Sequence, residues 1–204
     1  MLFSKRTSCP QQQLESVLAD CLLGKASAQR ALFKQYYGYA KRVCLRYASG
    51  SEEADEILND SFLKVFQRLP QYDSSYPFKT WLRTIVINTA ISYHRKYHKL
   101  ETVTGLDPNL DAAFQESILD QLAAEDILLM VQQLSSSQRT VFSLHVVEGY
   151  SLREIAELLT CNEATVRSHY LRARLCLQEL ISAARPTSSN SRPVLSKQPG
   201  VVFR

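Results

Sequence analysis

Apolar residues recur at three- and four-residue spacing along almost the whole chain, and two-residue alternation is nearly absent. That periodicity predicts an all-α fold. Only six glycines and seven prolines occur in 204 residues, several of them in the tails and the central segment, so long stretches are free to be helical. The spacing predicts helices over about 12–23 and 26–48, the second closed by Gly50. Ser51 is expected to cap a third helix, with Glu52 and Glu53 in its first turn where the dipole favours negative charge. Ala54, Ile57, Leu58, Phe62, Val65, Phe66 and Leu69 form its apolar stripe, and Pro70 ends it. After a loop over 71–77, a fourth helix is predicted over 78–99, burying Phe78, Trp81, Leu82, Ile85 and Thr89. These four helices predict one compact domain over 10–99.

Residues 100–125 predict a linker, marked by Gly105 and Pro108, although helical spacing already resumes near Gln115. A second helical domain is expected over 126–185. Two capping boxes punctuate it: Ser135 with Gln138, and Ser151 with Glu154, each a side chain able to satisfy the first turn's free amides. Gly149 breaks the helix between them. Residues 186–204 are low in apolar content and are expected to be a disordered tail.

The net charge of +4 says little, but its distribution is segregated. Lys79, Arg83, Arg95, Lys96 and Lys99 share one stretch without an acid. From 100 to 138 the pattern inverts, with Glu101, Asp107, Asp111, Glu116, Asp120, Glu125 and Asp126 and no basic residue. The five cysteines are widely spaced without CxxC pairing, which suggests neither a disulfide framework nor zinc. His94 and His98 stand one turn apart on a basic helix, a poor place for a cation, and no phosphate loop or nucleophile motif is present. The expectation is therefore a non-enzyme with no catalytic residue, metal or cofactor. Without an apolar leader or a run long enough to span a bilayer, a cytoplasmic protein with no membrane insertion is expected.

Three surfaces carry the functional reading. Over 150–174, a short helix with Leu152, Ile155, Ala156 and Leu159 inward meets a tight connector, Thr160-Cys161-Asn162. A second helix comes next, burying Val166, Tyr170, Ala173 and Leu177. This is the layout of a helix-turn-helix, whose second helix offers its N-terminal residues to the major groove. A plain helical hairpin with a solvated basic face has the same spacing. The second surface is the fourth helix, with Thr84, Asn88, Ser92, Arg95 and Lys99 outward and Lys79 and Arg83 nearby, in a lobe holding eight of the ten tyrosines. Cations bind phosphates, and aromatic rings stack on unpaired bases. The third is the outer side of 51–69, where Glu56, Asn59, Asp60 and Gln67 surround an outward Leu63, a pattern suited to docking a partner helix.

With those residues in view, the chain resembles the extracytoplasmic-function sigma factors of bacterial RNA polymerase, of the sigma-70 family. The resemblance lies in ADEILNDSFL at 54–63, PFKTWL at 77–82 with Asn88, YSLREIAELL at 150–159 and TVRSHYLRAR at 165–174, in that order. It covers roughly 15–183, and it implies two helical domains of the sigma-two and sigma-four type joined by the acidic linker. It also implies a protein that directs promoter-specific transcription initiation, with core RNA polymerase and promoter DNA as partners and an anti-sigma factor as a further partner class. Glu56, Asn59, Asp60 and Leu63 would bind core polymerase. Tyr72, Asp73, Tyr76, Phe78, Lys79, Arg83, Asn88 and Arg95 would take the minus-10 element. Asn162, Glu163, Thr165, Arg167, Ser168, His169, Arg172 and Arg174 would meet the minus-35 element. The linker would thread the polymerase cleft as a nucleic-acid mimic.

Asn59-Asp60 stands where this family often has Gln-Glu, Thr160 where it has a turn glycine, and His169-Tyr170 where Arg-Leu is common. Two other readings share much of the pattern. One is a sigma-like adaptor that binds an anti-sigma factor and no promoter; the other is a helix-turn-helix repressor or activator, which needs neither the acidic patch nor the aromatic loop.

Overall fold

A computed structural model describes residues 10–97 and 124–184, and every regular element among them is helical. Lys99, residues 100–123 of the predicted 100–125 linker with most of the central acidic run, and the tail from 186 lie outside the described residues; the last two linker positions open a helix, Ala124–Gln132. In the N-terminal lobe, α1 spans Pro10–Leu22, α2 Ala26–Leu45, α3 Ser51–Arg68 and α4 Phe78–Tyr97. In the C-terminal lobe, α5 spans Ala124–Gln132, α6 Ser136–Phe142, α7 Leu152–Leu159 and α8 Glu163–Ala184. A 3-10 turn over Leu69–Gln71 ends α3, and a π-helical stretch, Ser143–Val147, extends α6.

Helix α3 begins one residue differently from expectation. Gly50 is its N-cap, extended at φ −169° with no side-chain cap, and Ser51 is the first helical residue. Lys41 instead donates to the Ser51 carbonyl at 2.8 Å and to Ser51 Oγ at 3.1 Å, tying α2 to this corner. The two capping boxes form as the sequence predicts. Ser135 Oγ accepts from the Gln138 amide and Ser151 Oγ from the Glu154 amide, while the Gln138 and Glu154 side chains reach back to the cap amides.

The N-terminal lobe packs α1 on α2, α2 on α3 and both on α4, around Leu32, Val43, Ile57, Leu58, Val65, Leu82 and Val86. The sequence predicts one buried stripe on α4, but burial runs wider: Ile87, Ala90, Ile91 and His94 are buried as well. The reason is that α4 has neighbours on a second side. Helices α6 and α7 also pack on it, and Val141, Leu144, Ile155, Leu159 and Val166 continue the same apolar core. A smaller cluster, Val131, Leu134, Phe142, Ala173 and Leu177, joins α5 and α6 to α8.

A buried arginine holds that second cluster in shape. Arg139 on α6 donates Nε to the Val131 carbonyl at 3.2 Å, and Nη2 to the Gln132 and Leu134 carbonyls at 2.9 and 2.6 Å. Those are carbonyls at the end of α5, where a helix leaves acceptors unmet and the dipole favours a cation. Burial lowers the guanidinium pKa from its usual value, yet it stays charged. Replacing Arg139 by Ala takes its bond from the Gln132 and Leu134 carbonyls, while that of Val131 keeps the Leu134 amide at 3.2 Å. Arg139→Ala is expected to cost about 3 kcal/mol of unfolding free energy, read by chemical denaturation monitored by circular dichroism; a loss under about 0.5 kcal/mol would show that water replaces the guanidinium.

Candidate nucleic-acid interface

Helices α7 and α8 pack together, with Ile155, Ala156, Leu159 and Val166 in one cluster, and the connector between them is tight. Thr160 closes α7 in the left-handed region, φ 57° and ψ 47°, and is the one non-glycine residue with positive φ among the described residues. Its amide donates to the Glu157 carbonyl at 3.3 Å, and the Cys161 amide to that of Ala156 at 3.0 Å. Asn162 then caps α8, its Oδ1 accepting from the Thr165 amide at 2.7 Å. The turn therefore has helix-turn-helix geometry without the glycine that normally makes it easy.

The outer face of α8 presents Asn162, Glu163, Ala164 and Arg167 to solvent, with Ser168, Arg172 and Arg174 partly covered. Arg167 pairs with Glu163 one turn back at 3.0 Å, Ser168 Oγ donates to the Ala164 carbonyl, and Arg174 lies over the Tyr170 ring at 5.7 Å. Two residues expected here are elsewhere. Thr165 and His169 are buried, His169 at 7% exposure, on the face that packs inward. The buried row runs Thr165, Val166, His169, Ala173 and Leu177; Tyr170 is half-buried against both core clusters, as the sequence predicts, and His169 is buried beside it. With its ring in the core, His169 is not a base reader in this structure, and neither is Thr165.

The second surface is α4 and the turn before it. Tyr72 donates its hydroxyl to the Tyr76 carbonyl at 2.6 Å, and Asp73 Oδ1 accepts from the Ser75 amide at 2.9 Å. That backbone bond holds the Asp73 carboxyl below the usual range. These two bonds fold the loop so that Tyr76 stands out at 65% exposure. Phe78 does the opposite: at 2% exposure it sits in a cage of Tyr36, Tyr72 and Trp81 rings, centroids 5.0–5.6 Å away. It anchors the loop and is not available to DNA, because the first helical turn points it into the core. Along α4, Thr84, Asn88, Ser92 and Arg95 are exposed in one row, and Lys79 lies over the Tyr39 ring at 4.4 Å. Arg83 is half-exposed and engaged with the C-terminal lobe, its Nη2 2.9 Å from Glu148 Oε2.

On α3, Glu56, Asn59, Asp60 and Leu63 are all exposed, Leu63 at 58%, and Gln67 lies beside them. Tyr93 of α4 donates its hydroxyl to Glu56 Oε2 at 2.9 Å. Local desolvation and this carboxylate push the phenol up to about 12. Lys64 reaches Thr89 Oγ1 at 3.2 Å, so this patch is braced on α4 from two points. Sequence reasoning missed Tyr93 here and missed Glu148 altogether. The first could be found from its placement one helical turn before Tyr97; nothing in the sequence marks the second.

Two family models match the chain, "Sigma-70 region 2" over residues 32–99 and "Sigma-70, region 4" over 124–177. Among curated proteins it is similar to the ECF RNA polymerase sigma factor SigL of Mycobacterium tuberculosis, 31% identical over 165 residues, covering 76% of this chain and 92% of that one. It is also similar to RNA polymerase sigma-H factor of Pseudomonas aeruginosa, 24% identical, covering 84% of this chain and 95% of that one. A solved structure of the sigma factor RpoE in complex with the anti-sigma factor NepR from Bartonella quintana matches at 21% identity and a TM-score of 0.43, over 76% of this chain and 98% of that one.

The strained turn gives a direct test of the local geometry. A β-branched residue in the left-handed region costs about 1 kcal/mol or more, which glycine avoids. Thr160→Gly is expected to raise stability by up to about 1 kcal/mol, seen as a higher Tm. A lowered Tm would mean that this residue does not sit at positive φ.

Proposed function

The chain belongs to the ECF RNA polymerase sigma factors, and we propose that it directs core RNA polymerase to promoters by gripping them at two points. The observation that carries this reading is the exposed row Thr84, Asn88, Ser92 and Arg95 on α4, running from an exposed Tyr76 on the loop before it. A polar, cationic helix face beside an exposed ring suits a strand that has left the duplex, since the ring can stack on an unpaired base while the cation takes a phosphate. In this reading Tyr72, Asp73, Tyr76, Lys79, Arg83, Asn88 and Arg95 hold the melted minus-10 element, with Phe78 fixing the loop from inside.

The upstream grip is the N-terminal end of α8. Asn162, Glu163, Arg167 and Ser168 would stand toward base edges of the minus-35 element, and Arg172 and Arg174 toward phosphates. Arg167 must leave Glu163 to do so, an exchange that costs little at an exposed pair. The α3 patch of Glu56, Asn59, Asp60 and Leu63 would dock on core polymerase, Leu63 supplying the apolar anchor and the carboxylates the complementary charge. We assign 10–99 to core and minus-10 binding, 126–185 to minus-35 binding, and 100–125 to the connection between them. An anti-sigma factor is a further partner class in this reading.

In vitro transcription with core polymerase and a promoter library tests the whole reading; a chain that forms no complex with core is not acting in this way. Asp60→Arg is expected to lower core affinity at least tenfold with an unchanged circular dichroism spectrum; undiminished affinity removes the docking assignment. Asn88→Ala and Arg95→Ala are expected to leave core binding intact and to slow promoter melting, followed by permanganate reactivity of unpaired thymines. Arg167→Ala is expected to weaken minus-35 binding and relax sequence preference by about 1–3 kcal/mol. A change in salt slope alone would make Arg167 a phosphate contact.

A further inference from the structure

The two lobes meet at Arg83, beside the exposed α4 row that takes the minus-10 strand in the proposed reading, and any competition for that face rests on the same reading. Glu148 ends the π-helical stretch of the C-terminal lobe, with its side chain 7% exposed. A carboxylate taken so far from water needs partners, and the N-terminal lobe supplies two of them. Arg83 of α4 pairs with Oε2 at 2.9 Å, and the Tyr47 hydroxyl, just past α2, donates to Oε1 at 3.3 Å. Tyr47 is itself buried, and burial together with Glu148 holds its phenol well above the usual range, so it remains a donor. Ser143 Oγ adds a bond to the Arg46 carbonyl at 3.0 Å, and the apolar core runs unbroken between the lobes.

Beyond this latch, α7 stands over the rest of the α4 face. A recess of about 600 Å³ separates them, with Asn88, Ser92 and Arg95 on one side and Tyr150, Glu154 and Glu157 on the other. The groups opposite the cationic row thus include carboxylates, the charge that a phosphate backbone would bring. We propose that the free chain closes on itself, with its C-terminal lobe as the resident ligand of the α4 face and Glu148 holding Arg83 where a nucleic-acid phosphate would hold it. Promoter strand and C-terminal lobe then compete for one surface, and single-stranded DNA binds the free chain only to the extent that the lobes part.

Three variants of the full chain test this, each read by small-angle scattering for the radius of gyration and by fluorescence anisotropy with a randomised single-stranded DNA pool. Glu148→Lys repels Arg83 and is expected to expand the chain and tighten DNA binding about tenfold. Glu148→Gln keeps the side chain's size and removes the ion pair. Ser143→Ala removes the Arg46 bond without touching the net charge, so any gain it shows cannot come from added electrostatic attraction. The last two are expected to act in the same direction, about threefold, and the gain should vanish when Arg95→Ala is added. Circular dichroism checks that each variant folds; if Glu148→Lys does not, the two milder variants carry the test. An unchanged radius of gyration in the folded variants overturns the closure, and expansion without tighter DNA binding overturns the competition. Failure of the minus-10 assignment shows separately, as Asn88→Ala and Arg95→Ala holoenzymes that melt promoters normally whatever the free chain's dimensions.

Discussion

Helix α4 is packed from two sides, and most of what the molecule presents depends on that. One side closes the N-terminal lobe with α2 and α3; the other receives α6 and α7. Between the two buried sides a narrow row of polar residues, Thr84, Asn88, Ser92 and Arg95, faces water along the middle of the helix, with Lys79 and Thr80 exposed at its start and Lys96 and Tyr97 at its end. A helix with so little free perimeter has few degrees of freedom left, so the spacing of that row is set by the core rather than by its own side chains. The same helix supplies Tyr93 and Thr89 to brace the acidic patch on α3. Two surfaces of opposite charge are thereby held in fixed relation by one rod.

What could be read from the sequence was what local physics decides. Helix positions came from the 3.6-residue period, and the caps at Ser135 and Ser151 from the reach of a hydroxyl to the third amide of a turn. The exposed set on α3 was legible too, because a single packed face leaves the rest of a helix to solvent. The misplacements are tertiary. On α8 the inward row can be drawn through residue 169 or residue 170, and periodicity alone does not choose between neighbours about 100° apart. Packing took both, His169 buried and Tyr170 half-buried against the two clusters, with Thr165 inward as well. Phe78 has the composition of a DNA-stacking residue and the position of a core residue, and the ring cage decided the matter.

Glu148 shows the other limit of sequence reading. It precedes Gly149, which turns the chain at φ 81°, and by itself it is one more acid beside a turn. Its meaning comes from Arg83 and Tyr47, far away along the chain, so no local pattern could reveal it. Thr160 is legible in part: a tight turn between two helices asks for positive φ, and the sequence supplies a residue that adopts it only under constraint. The capping bonds on either side of that turn, from Cys161 and Asn162, are what hold it there.

The π-helical stretch at Ser143–Val147 sets the angular phase of everything after it. A π-turn accommodates one more residue than an α-turn over the same rise, and each α-helical residue advances the chain by about 100°. Were the same residues wound as ordinary helix with none lost, the side chain at the end of the stretch would swing by about that angle away from α2 and α4. A chain one residue shorter here would close an ordinary α-turn and keep that facing. The full-length stretch wound as plain α-helix would keep every helix and every cap, yet its two halves would no longer be keyed to each other. The bulge works as an index mark, cut into the chain itself, for how the second half is turned against the first.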